Sequence, residues 1–299
     1  MNSDSIVKII GLKGFKRFEH DAMSTRFSLH LYSNSKEKIA AIAEEAFRLV
    51  DNLESKLSLY REGSDITRIN RARAGDVLRL DEVTHNCLLS AFEVSAGTGG
   101  MFDPFVGSEA IKAKGQSIPR HLSDLQIPSQ DENSPVIAID PQNPFVTKLE
   151  GKRWLDLGAI GKGAALDTVY DLLKFWEVPA GVLVGGGSSV LVFGDSPQNE
   201  DKCWTLEIPI LSGKPRLKYF GNFALGASGI GYQPNHIISR SGDLINEKAV
   251  VMAKSATVAD ALSTASLLLS DNQIENLGNH DSVLGIYTSN EMRVGTFKD

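Results

Sequence analysis

Cysteine is scarce in this chain, and its scarcity limits both the fold and the chemistry. Only Cys87 and Cys203 occur among the 299 residues. Two cysteines cannot supply the disulfide framework of a small secreted domain, and no CxxC or Cys/His cluster offers a site for zinc or an iron–sulfur cluster. We therefore expect two ordinary buried thiols.

The sequence also lacks an excess of basic residues and a long apolar run. Its formal net charge is -6 at pH 7, whereas nucleic acids and anionic membranes bind basic protein surfaces. No apolar run approaches the roughly 20 residues of a membrane span, and the N-terminus shows neither a secretory h-region nor a lipid-bearing cysteine. These features predict a cytoplasmic protein with no nucleic-acid partner and no transmembrane segment.

Several familiar enzyme signatures are missing as well. GAIGKG, at 158–163, has the wrong glycine spacing for a P-loop and carries Gly where Ser or Thr is required. GGGSSV, at 185–190, is only a partial GxGxxG and precedes strand-like residues, which does not favour a nicotinamide-type dinucleotide fold. The sequence contains no GxSxG and no HExxH, which excludes the common serine hydrolases and zinc proteases.

What the chain does contain is enough apolar sequence for a large core. Its residues are 42% apolar and 23% charged, which suits one large or two interlocked lobes. Strand and helix patterns alternate along the chain and predict an α+β fold with mixed, largely antiparallel sheets flanked by helices. Residues 26–32 alternate as a half-buried strand, and Asn34 with Glu37 marks the start of a helix. That helix carries a continuous apolar stripe, formed by Ile39, Ile42, Ala43, Ala46, Val50, Leu53 and Leu57.

Further elements follow from the same patterns. Residues 1–20 are expected to be an N-terminal extension, and the loop-like composition of 107–135 predicts an exposed insertion. Helices are predicted over about 81–96, from the motif at 155–167 to just before Pro179, and, as the last one, over about 256–270. The residues expected to face inward on the first two are Val83, Cys87, Leu88, Ala91 and Val94, and then Leu166, Val169, Tyr170, Leu173 and Trp176. Strands are predicted at 136–140, 146–149, on both sides of the glycine turn in 181–194, at 204–210, near 216–227 and at 236–238.

Two separated segments carry the chemistry. LDLGAIGKGAALD, at 155–167, turns a strand into a helix through small residues, so that backbone groups and Lys162 can approach a phosphate. ATVADALST, at 256–264, places Asp260 and Thr264 four residues apart on one helical face. A carboxylate beside a neutral oxygen suits a hard divalent cation. The same spacing also fits a helix cap and a solvent-facing pair.

The motifs together resemble the ApbE family of FAD:protein FMN transferases, over nearly the whole chain. Eight segments occur in the family's order: AMST at 22–25, LSLYREGSDITRIN at 57–70, GGMFDP at 99–104, LDLGAIGKGAALD at 155–167, GGGSS at 185–189, SG at 228–229, HIISRSGD at 236–243 and ADALST at 259–264. The resemblance implies one ApbE-like domain over 1–299. Its fold would be T-fold-like and two-lobed, with FAD in the central cleft.

The resemblance also assigns roles to residues. It implies that Mg²⁺ is held by the backbone carbonyl of Ala159 with Asp260 and Thr264. The implied contacts to FAD are Met23, Tyr60, Met101, Phe102, Asp103, Lys162 and Ile238. Tyr60 would offer an aromatic face to the isoalloxazine, Asp103 an acceptor, and Lys162 a cation for the phosphate oxygens.

The implied reaction moves FMN from FAD to a Thr or Ser hydroxyl of an acceptor flavoprotein or electron-transfer subunit and releases AMP. Mg²⁺ and Lys162 would neutralise the diphosphate while the weak nucleophile attacks. His236 is the candidate general base, because its unperturbed pKa lies near neutrality and it stands beside the expected flavin contact at Ile238. An isolated His before a strand can equally be structural.

The chain departs from the family pattern at three places. Ser188 stands where the family commonly has Asp or Asn after paired glycines, and Ser239 and Arg240 replace an Asp-Pro pair. Met23, Ser24 and Thr25 replace MGT, a mild change. Two other functions stay open at this point: a Mg²⁺-dependent FAD pyrophosphatase that yields FMN and AMP, and a non-catalytic FAD-binding protein.

Overall fold

The computed structural model describes residues 8–33, 35–129, 133–208, 216–229, 244–290 and 293–295. Over these residues the chain forms seven α-helices and fourteen strands, and every strand pairing is antiparallel. The predicted α+β class is confirmed. The helices are α1 (Lys36–Leu57), α2 (Asp65–Arg71), α3 (Glu82–Gly97), α4 (Gly107–Ala113), α5 (Gly161–Phe175), α6 (Ala256–Ala265) and α7 (Asp271–Gly278).

An eight-stranded sheet forms the centre of the molecule. Its strands lie in the spatial order β14 (Arg293–Gly295), β13 (Val283–Thr288), β12 (Lys248–Ala253), β11 (Phe223–Gly229), β8 (Ser189–Gly194), β7 (Ala180–Gly185), β3 (Thr25–Tyr32) and β2 (Lys16–Ala22). Two three-stranded sheets accompany it. They are ordered β1 (Lys8–Ile10), β9 (Trp204–Glu207), β10 (Arg216–Tyr219) and β4 (Val77–Arg79), β6 (Phe145–Lys148), β5 (Ile137–Ile139).

Both faces of the main sheet are buried. Along β8, Leu191 and Phe193 join the core that includes the helices, whereas Val190 and Val192 join a second apolar cluster with residues of β1 and β9. Successive side chains of a strand point to opposite faces, so helices cover one face and the small sheet covers the other. Strands buried on both faces need apolar residues at nearly every position, which explains the continuous apolar runs of β7 and β8.

Helix α1 forms as the sequence predicts. Every residue of the expected apolar stripe is buried. The N-cap is Ser35, whose hydroxyl accepts a hydrogen bond from the amide of Lys38 at 3.4 Å, while Asn34 lies outside the described residues. The helix ends at Leu57, and the following turn carries Tyr60 to a position near the candidate site.

Other predicted elements need correction. Trp176, which directly follows α5, is 36% exposed, and Tyr170 on α5 is only partly buried, so the buried face of the helix is narrower than the sequence predicts. On α3, Val83 is likewise partly buried. The helix at 256–270 ends at Ala265, and it is not the last one, because α7 follows it. The strand predicted at 236–238 lies outside the described residues. Both cysteines are buried thiols, as expected.

The segment 107–135 is only in part the exposed loop that its composition suggests. Its described residues include α4 and a 3-10 turn at Arg120–Leu122. Ile111 and Leu122 belong to the main core, so the prediction of an exposed segment is wrong for these residues. At the N-terminus, β2 pairs along its length with β3 as an edge of the main sheet, so residues 16–20 are part of the fold.

None of the helices among the described residues combines the length and the apolar character that crossing a lipid bilayer would require.

Candidate functional site

The loop before α5 is held in place by a buried amide. The side chain of Asn70, on α2, donates to the carbonyl of Leu155 at 3.0 Å and accepts from the amide of Leu155 at 2.7 Å. Because both hydrogen bonds go to the backbone, they fix the loop independently of its side chains. The amide of Gly158 then donates to Asp156 at 3.1 Å and tightens the turn that leads into α5.

Helices α5 and α6 meet at Gly163. A Cβ atom on this residue would lie 2.2 Å from the carbonyl oxygen of Ala256, a distance that no side chain can occupy. A glycine is therefore needed for the backbones of the two helices to approach so closely. On α6, Asp260 lies one turn after Ala256, so this crossing carries its carboxylate to the start of α5.

Asp260 is the centre of the resulting site. Its side chain is 4% exposed and accepts hydrogen bonds from three residues, two on α5 and one on β8. One carboxylate oxygen, Oδ2, accepts from the amide of Gly163 at 3.1 Å and lies 3.3 Å from Nζ of Lys162. The other, Oδ1, accepts from the hydroxyl of Ser189 at 2.7 Å. Because it is paired with Lys162 and hydrogen-bonded, this buried carboxylate can remain charged.

Hydroxyl groups extend the site along α6. The hydroxyls of Ser228 and Thr264 are 3.2 Å apart, and that of Ser228 is also 2.9 Å from the hydroxyl of Ser263. Ser263 donates to the backbone carbonyl of Asp260 at 2.8 Å. Thr264 follows Asp260 by about one helical turn, so their side chains project from the same face of α6.

The carbonyl of Ala159, the carboxylate of Asp260 and the hydroxyl of Thr264 are oxygen groups of the kinds that a hard divalent cation takes. Among the described residues, the carbonyl of Ala159 accepts no hydrogen bond, because the amide of Gly163 turns to Asp260 instead. A carbonyl, a carboxylate and a hydroxyl are oxygen ligands that Mg²⁺ accepts, with its remaining positions open to water or phosphate. The described residues contain no cluster of three His, Cys, Asp or Glu side chains, so this set has a single carboxylate with neutral oxygens.

The predicted flavin contact Met23 lies at the tip of the β2–β3 hairpin. Met23 and Ser24 both have positive φ, at 51° and 57°, which is the geometry of a tight two-residue turn. This tip adjoins the β7–β8 turn, where a Cβ on Gly186 would lie 2.6 Å from the hydroxyl of Thr25. In the same turn, a Cβ on Gly185 would lie 3.6 Å from Cβ of Lys162. The hairpin therefore stands close to the Lys162–Asp260 pair.

Tyr60 is available for stacking. It is 38% exposed, and Nζ of Lys114 lies 5.5 Å from its ring centroid. Burial, with a smaller contribution from the nearby Asp156, raises the pKa of Tyr60 to about 12. The phenol therefore stays neutral across the physiological range.

Asp156, which sequence reasoning did not single out, lies in the same region. Burial raises the pKa of its carboxyl above the usual range, although Lys114 and the amide of Gly158 oppose the shift. Together with Tyr60 and Lys114, it makes this part of the site a mixed aromatic and charged surface.

The predicted contacts in GGMFDP have different environments. Phe102 is 5% exposed and belongs to the core, and Met101 packs partly buried against it. Asp103 forms an ion pair with Arg153 and accepts from the amide of Phe105 at 2.9 Å. The carboxylate of Asp103 therefore stabilises its own loop, in addition to the role of hydrogen-bond acceptor for FAD that the sequence predicts. His236 and Ile238 lie outside the described residues.

Besides Asp156, sequence reasoning assigned no role to two further contributors to the site, Ser189 and Asp167. In the sequence, Ser189 stands out only as a member of the GGGSS segment, and Asp167 only as the end of a motif. Ser189 and Asp260 are 71 positions apart in the sequence, and no local pattern predicts such a contact. The carboxylate of Asp167 accepts four hydrogen bonds from the first turn of α6. The only feature of the sequence that pointed to Asp167 was its place in the motif at 155–167.

Comparisons with known proteins agree with this architecture. The ApbE family model matches residues 23–286. A crystal structure of an ApbE protein from Thermotoga maritima superposes with a TM-score of 0.75 at 20% identity, over 95% of this chain and 100% of that chain. The flavin transferase ApbE from Vibrio cholerae gives 0.70 at 18% identity, over 93% and 98%. The apo flavinyl transferase ApbE of Pseudomonas stutzeri gives 0.72 at 19% identity, over 94% and 95%. None of the curated proteins compared with this chain matches it.

Proposed function

This chain belongs to the ApbE family, and on that premise we propose that it transfers the FMN moiety of FAD to a Thr or Ser hydroxyl of an acceptor protein and releases AMP. Two structural relatives are described as flavin transferases. The observation that carries the proposal is the buried carboxylate of Asp260 beside Lys162 at the α5–α6 crossing. There the carboxylate of Asp260 can bind a cation, and the ammonium of Lys162 can bind an anionic diphosphate.

The proposed reaction is a phosphoryl transfer. The acceptor hydroxyl oxygen forms a bond to the phosphorus on the FMN side of the diphosphate. The bond from that phosphorus to the bridging oxygen breaks, and AMP leaves with that oxygen. Negative charge grows on the departing phosphate, so the site must supply positive charge around the diphosphate.

We assign the cation to Asp260, Thr264 and the carbonyl of Ala159. Bound Mg²⁺ would polarise the phosphoryl oxygens and neutralise part of their charge. The chain's own contribution is to hold two of these oxygens on α6 and the third on the turn that enters α5, and the two helices cannot shift easily because Gly163 allows their backbones to touch. Lys162, on the first turn of α5, would bind the phosphate oxygens with its ammonium group.

The flavin would lie against Tyr60. A neutral, partly exposed phenol ring can stack on the isoalloxazine, and Met23 would contact the flavin from the hairpin beside Lys162. Asp103, Met101, Phe102 and Ile238 complete the proposed FAD contacts. For Phe102 the backbone is the available group, since its side chain is buried.

We propose His236 as the group that accepts the proton of the acceptor hydroxyl. A neutral imidazole near pH 7 can take that proton as the oxygen attacks. A His236→Ala variant should therefore lose transfer while it keeps FAD binding. Unchanged transfer in this variant would remove His236 from the mechanism.

The acceptor is proposed to be a flavoprotein or a subunit of an electron-transfer complex with an accessible Thr or Ser. A cytoplasmic location remains a prediction of the sequence.

A direct assay tests the function. The purified chain is incubated with FAD, Mg²⁺ and a protein extract from cells that lack this chain. AMP is measured, and covalent flavin is sought by fluorescence on a denaturing gel and by mass spectrometry of the labelled peptide. Transfer predicts AMP together with an FMN-modified Thr or Ser, both lost when Mg²⁺ is removed.

The same assay separates the two other functions. AMP and free FMN in the absence of extract would identify an FAD pyrophosphatase. FAD binding with no AMP under either condition would identify a non-catalytic binding protein. Either result would contradict the proposed transferase.

A further inference from the structure

The carboxylate of Asp167, on α5, lies against the start of α6. Its Oδ1 accepts from the amide of Ala256 at 2.9 Å. Its Oδ2 accepts from the amide of Thr257 at 2.8 Å, from the hydroxyl of Thr257 at 2.6 Å and from the hydroxyl of Ser255 at 2.7 Å. All four donors therefore come from the N-terminus of one helix.

This arrangement differs from an ordinary helix cap. The N-cap residue, Ser255, accepts from the amide of Val258 at 3.3 Å, which leaves the first two amides of α6 for another acceptor. Asp167 supplies it from a different helix, 89 and 90 positions earlier in the chain. A carboxylate is also favoured at the positive end of the helix dipole. The contact thus ties the two helices together and does more than end one of them.

The tie lies next to the candidate cation site. Gly163 and Asp167 are four residues apart on α5 and face the same way. Gly163 lets the backbone of Ala256 approach, and Asp167 holds the amides of Ala256 and Thr257. Asp260 and Thr264 follow at one-turn intervals on α6. The position of Ala256 relative to α5 therefore determines where both side chains lie relative to Lys162 and Ala159.

We propose that Asp167 is a positioning residue for the cation site. It fixes the rotation and height of α6 against α5, and so keeps Asp260 and Thr264 within reach of the Ala159 carbonyl. This inference rests on the proposed function for its cation. Asp167 itself holds the helix and takes no part in the reaction, so its loss should weaken cation binding more than it slows the bound complex.

The test compares Asp167→Asn with Asp171→Asn. Asparagine at 167 offers one acceptor oxygen and turns an amide NH₂ group toward N–H and O–H donors, so the tie breaks. Asp171 is exposed on the same helix and is the matched control. Mn²⁺ is titrated into each protein, with and without FAD, and the free ion is followed by electron paramagnetic resonance. Circular dichroism and thermal unfolding show whether each variant is folded.

We expect the dissociation constant for Mn²⁺ to rise at least about tenfold in Asp167→Asn and by less than about twofold in Asp171→Asn. In the AMP assay, the Mg²⁺ concentration for half-maximal rate should rise by a similar factor, while the rate at saturating Mg²⁺ falls less than about threefold. Asp167→Glu, which keeps the carboxylate, should recover part of the affinity. Wild-type affinity in folded Asp167→Asn would overturn the inference, as would loss of the saturated rate with unchanged affinity.

A second variant serves if Asp167→Asn does not fold. Thr257→Val removes one hydroxyl donor and keeps the amide, and should raise the Mn²⁺ dissociation constant about threefold. An unchanged constant would overturn the inference. The result of this test can be distinguished from the result for the proposed function. If the variants bind Mn²⁺ more weakly than the wild type but none of the proteins releases AMP, the transferase function is refuted and the role of Asp167 stands. A wild-type protein that binds no Mn²⁺ would overturn both.

Discussion

At the scale of single residues, the charge on Asp260 is balanced before any cation binds. A carboxylate offers about four lone-pair directions. Among the described residues, Oδ2 has two donors, Gly163 and Lys162, and Oδ1 has one, Ser189. One direction on Oδ1 therefore remains for a cation. Lys162 meanwhile keeps the buried charge compensated.

Removing the carboxylate should abolish the function without removing the fold. We expect Asp260→Ala to lower AMP release by at least about a hundredfold, because the only charged ligand proposed for the cation is lost. Asp281→Ala, at an exposed acidic residue, is the control. Turnover is measured beside circular dichroism. A folded Asp260→Ala protein with wild-type turnover would refute the assigned role.

Lys162 should compete with a cation when no FAD is bound. In Lys162→Met the ammonium leaves Oδ2, so the Mg²⁺ affinity of the FAD-free protein should rise about two- to fivefold, the range of a partly exposed ion pair. FAD affinity should fall, because a phosphate partner is lost. Calorimetric titrations of both ligands measure this, with Lys174→Met, at an exposed position of the same helix, as control. Weaker Mg²⁺ binding in Lys162→Met would contradict the competition.

His30 should give the fold a distinct acid sensitivity. Burial lowers the pKa of this β3 side chain from 6.5 to about 4, and Arg17 adds to the shift. Between these values the unfolded chain binds the proton and the folded chain does not, so stability falls as the pH falls from about 6.5 towards 4.

At pH 4.5 the lowered pKa of His30 reduces the free energy of unfolding by about 2 to 3 kcal/mol. Urea unfolding at pH 7 and 4.5 should show a smaller acid loss in His30→Gln than in the wild type. His280→Gln, at an exposed position, should resemble the wild type. Equal acid losses in all three proteins would show that His30 is not buried in its neutral form.

At the scale of elements, the site depends on the crossing of α5 and α6. We expect Gly163→Ala to lower both stability and Mg²⁺ affinity, since its Cβ would lie 2.2 Å from the Ala256 carbonyl. Gly161→Ala is a matched control on the same helix: its Cβ would be 3.9 Å from Cδ1 of Leu57, an ordinary contact. Alanine there should leave both the stability and the Mg²⁺ affinity close to those of the wild type.

Urea unfolding and Mg²⁺ titration of both glycine variants measure these effects. If Gly163→Ala left both the stability and the Mg²⁺ affinity unchanged, the close contact between α5 and α6 in the structure would be contradicted.

Elements with a clear local period were predictable from the sequence, and the others were not. The stripe of α1 and the apolar–glycine–apolar pattern of β7 and β8 each point to one structure. By contrast, β12 is buried at most positions and shows no alternation, so periodicity could not assign it. Helix α7 buries only Ile274. The Ser270–Gln273 capping box was the signal that could have found it.

At the scale of the whole molecule, the site forms where the main sheet meets its helices. β11 packs directly on α6, because a Cβ on Gly226 would lie 2.1 Å from the carbonyl of Ala259. β8 supplies Ser189 from the same sheet, and β11 supplies Ser228. Helix α6 therefore packs against the main sheet on one side and against α5 on another.

This long-range arrangement explains what the sequence could not show. The order of the motifs indicated the family and both segments that carry the proposed cation ligands. The pairing of Lys162 with Asp260 spans 98 positions and depends on packing through Gly163, which no local pattern encodes. The same is true of Ser189. The family resemblance therefore led to the site, and the tertiary contacts explain its geometry.

The most direct measurement is the crystal structure of the protein with FAD and Mn²⁺, with the metal located by its anomalous scattering. We expect a peak bonded to the Asp260 carboxylate, the Thr264 hydroxyl and the Ala159 carbonyl, with diphosphate oxygens of FAD completing the coordination and Lys162 turned to the phosphates. FAD bound elsewhere, or a metal peak away from Asp260, would contradict this expectation.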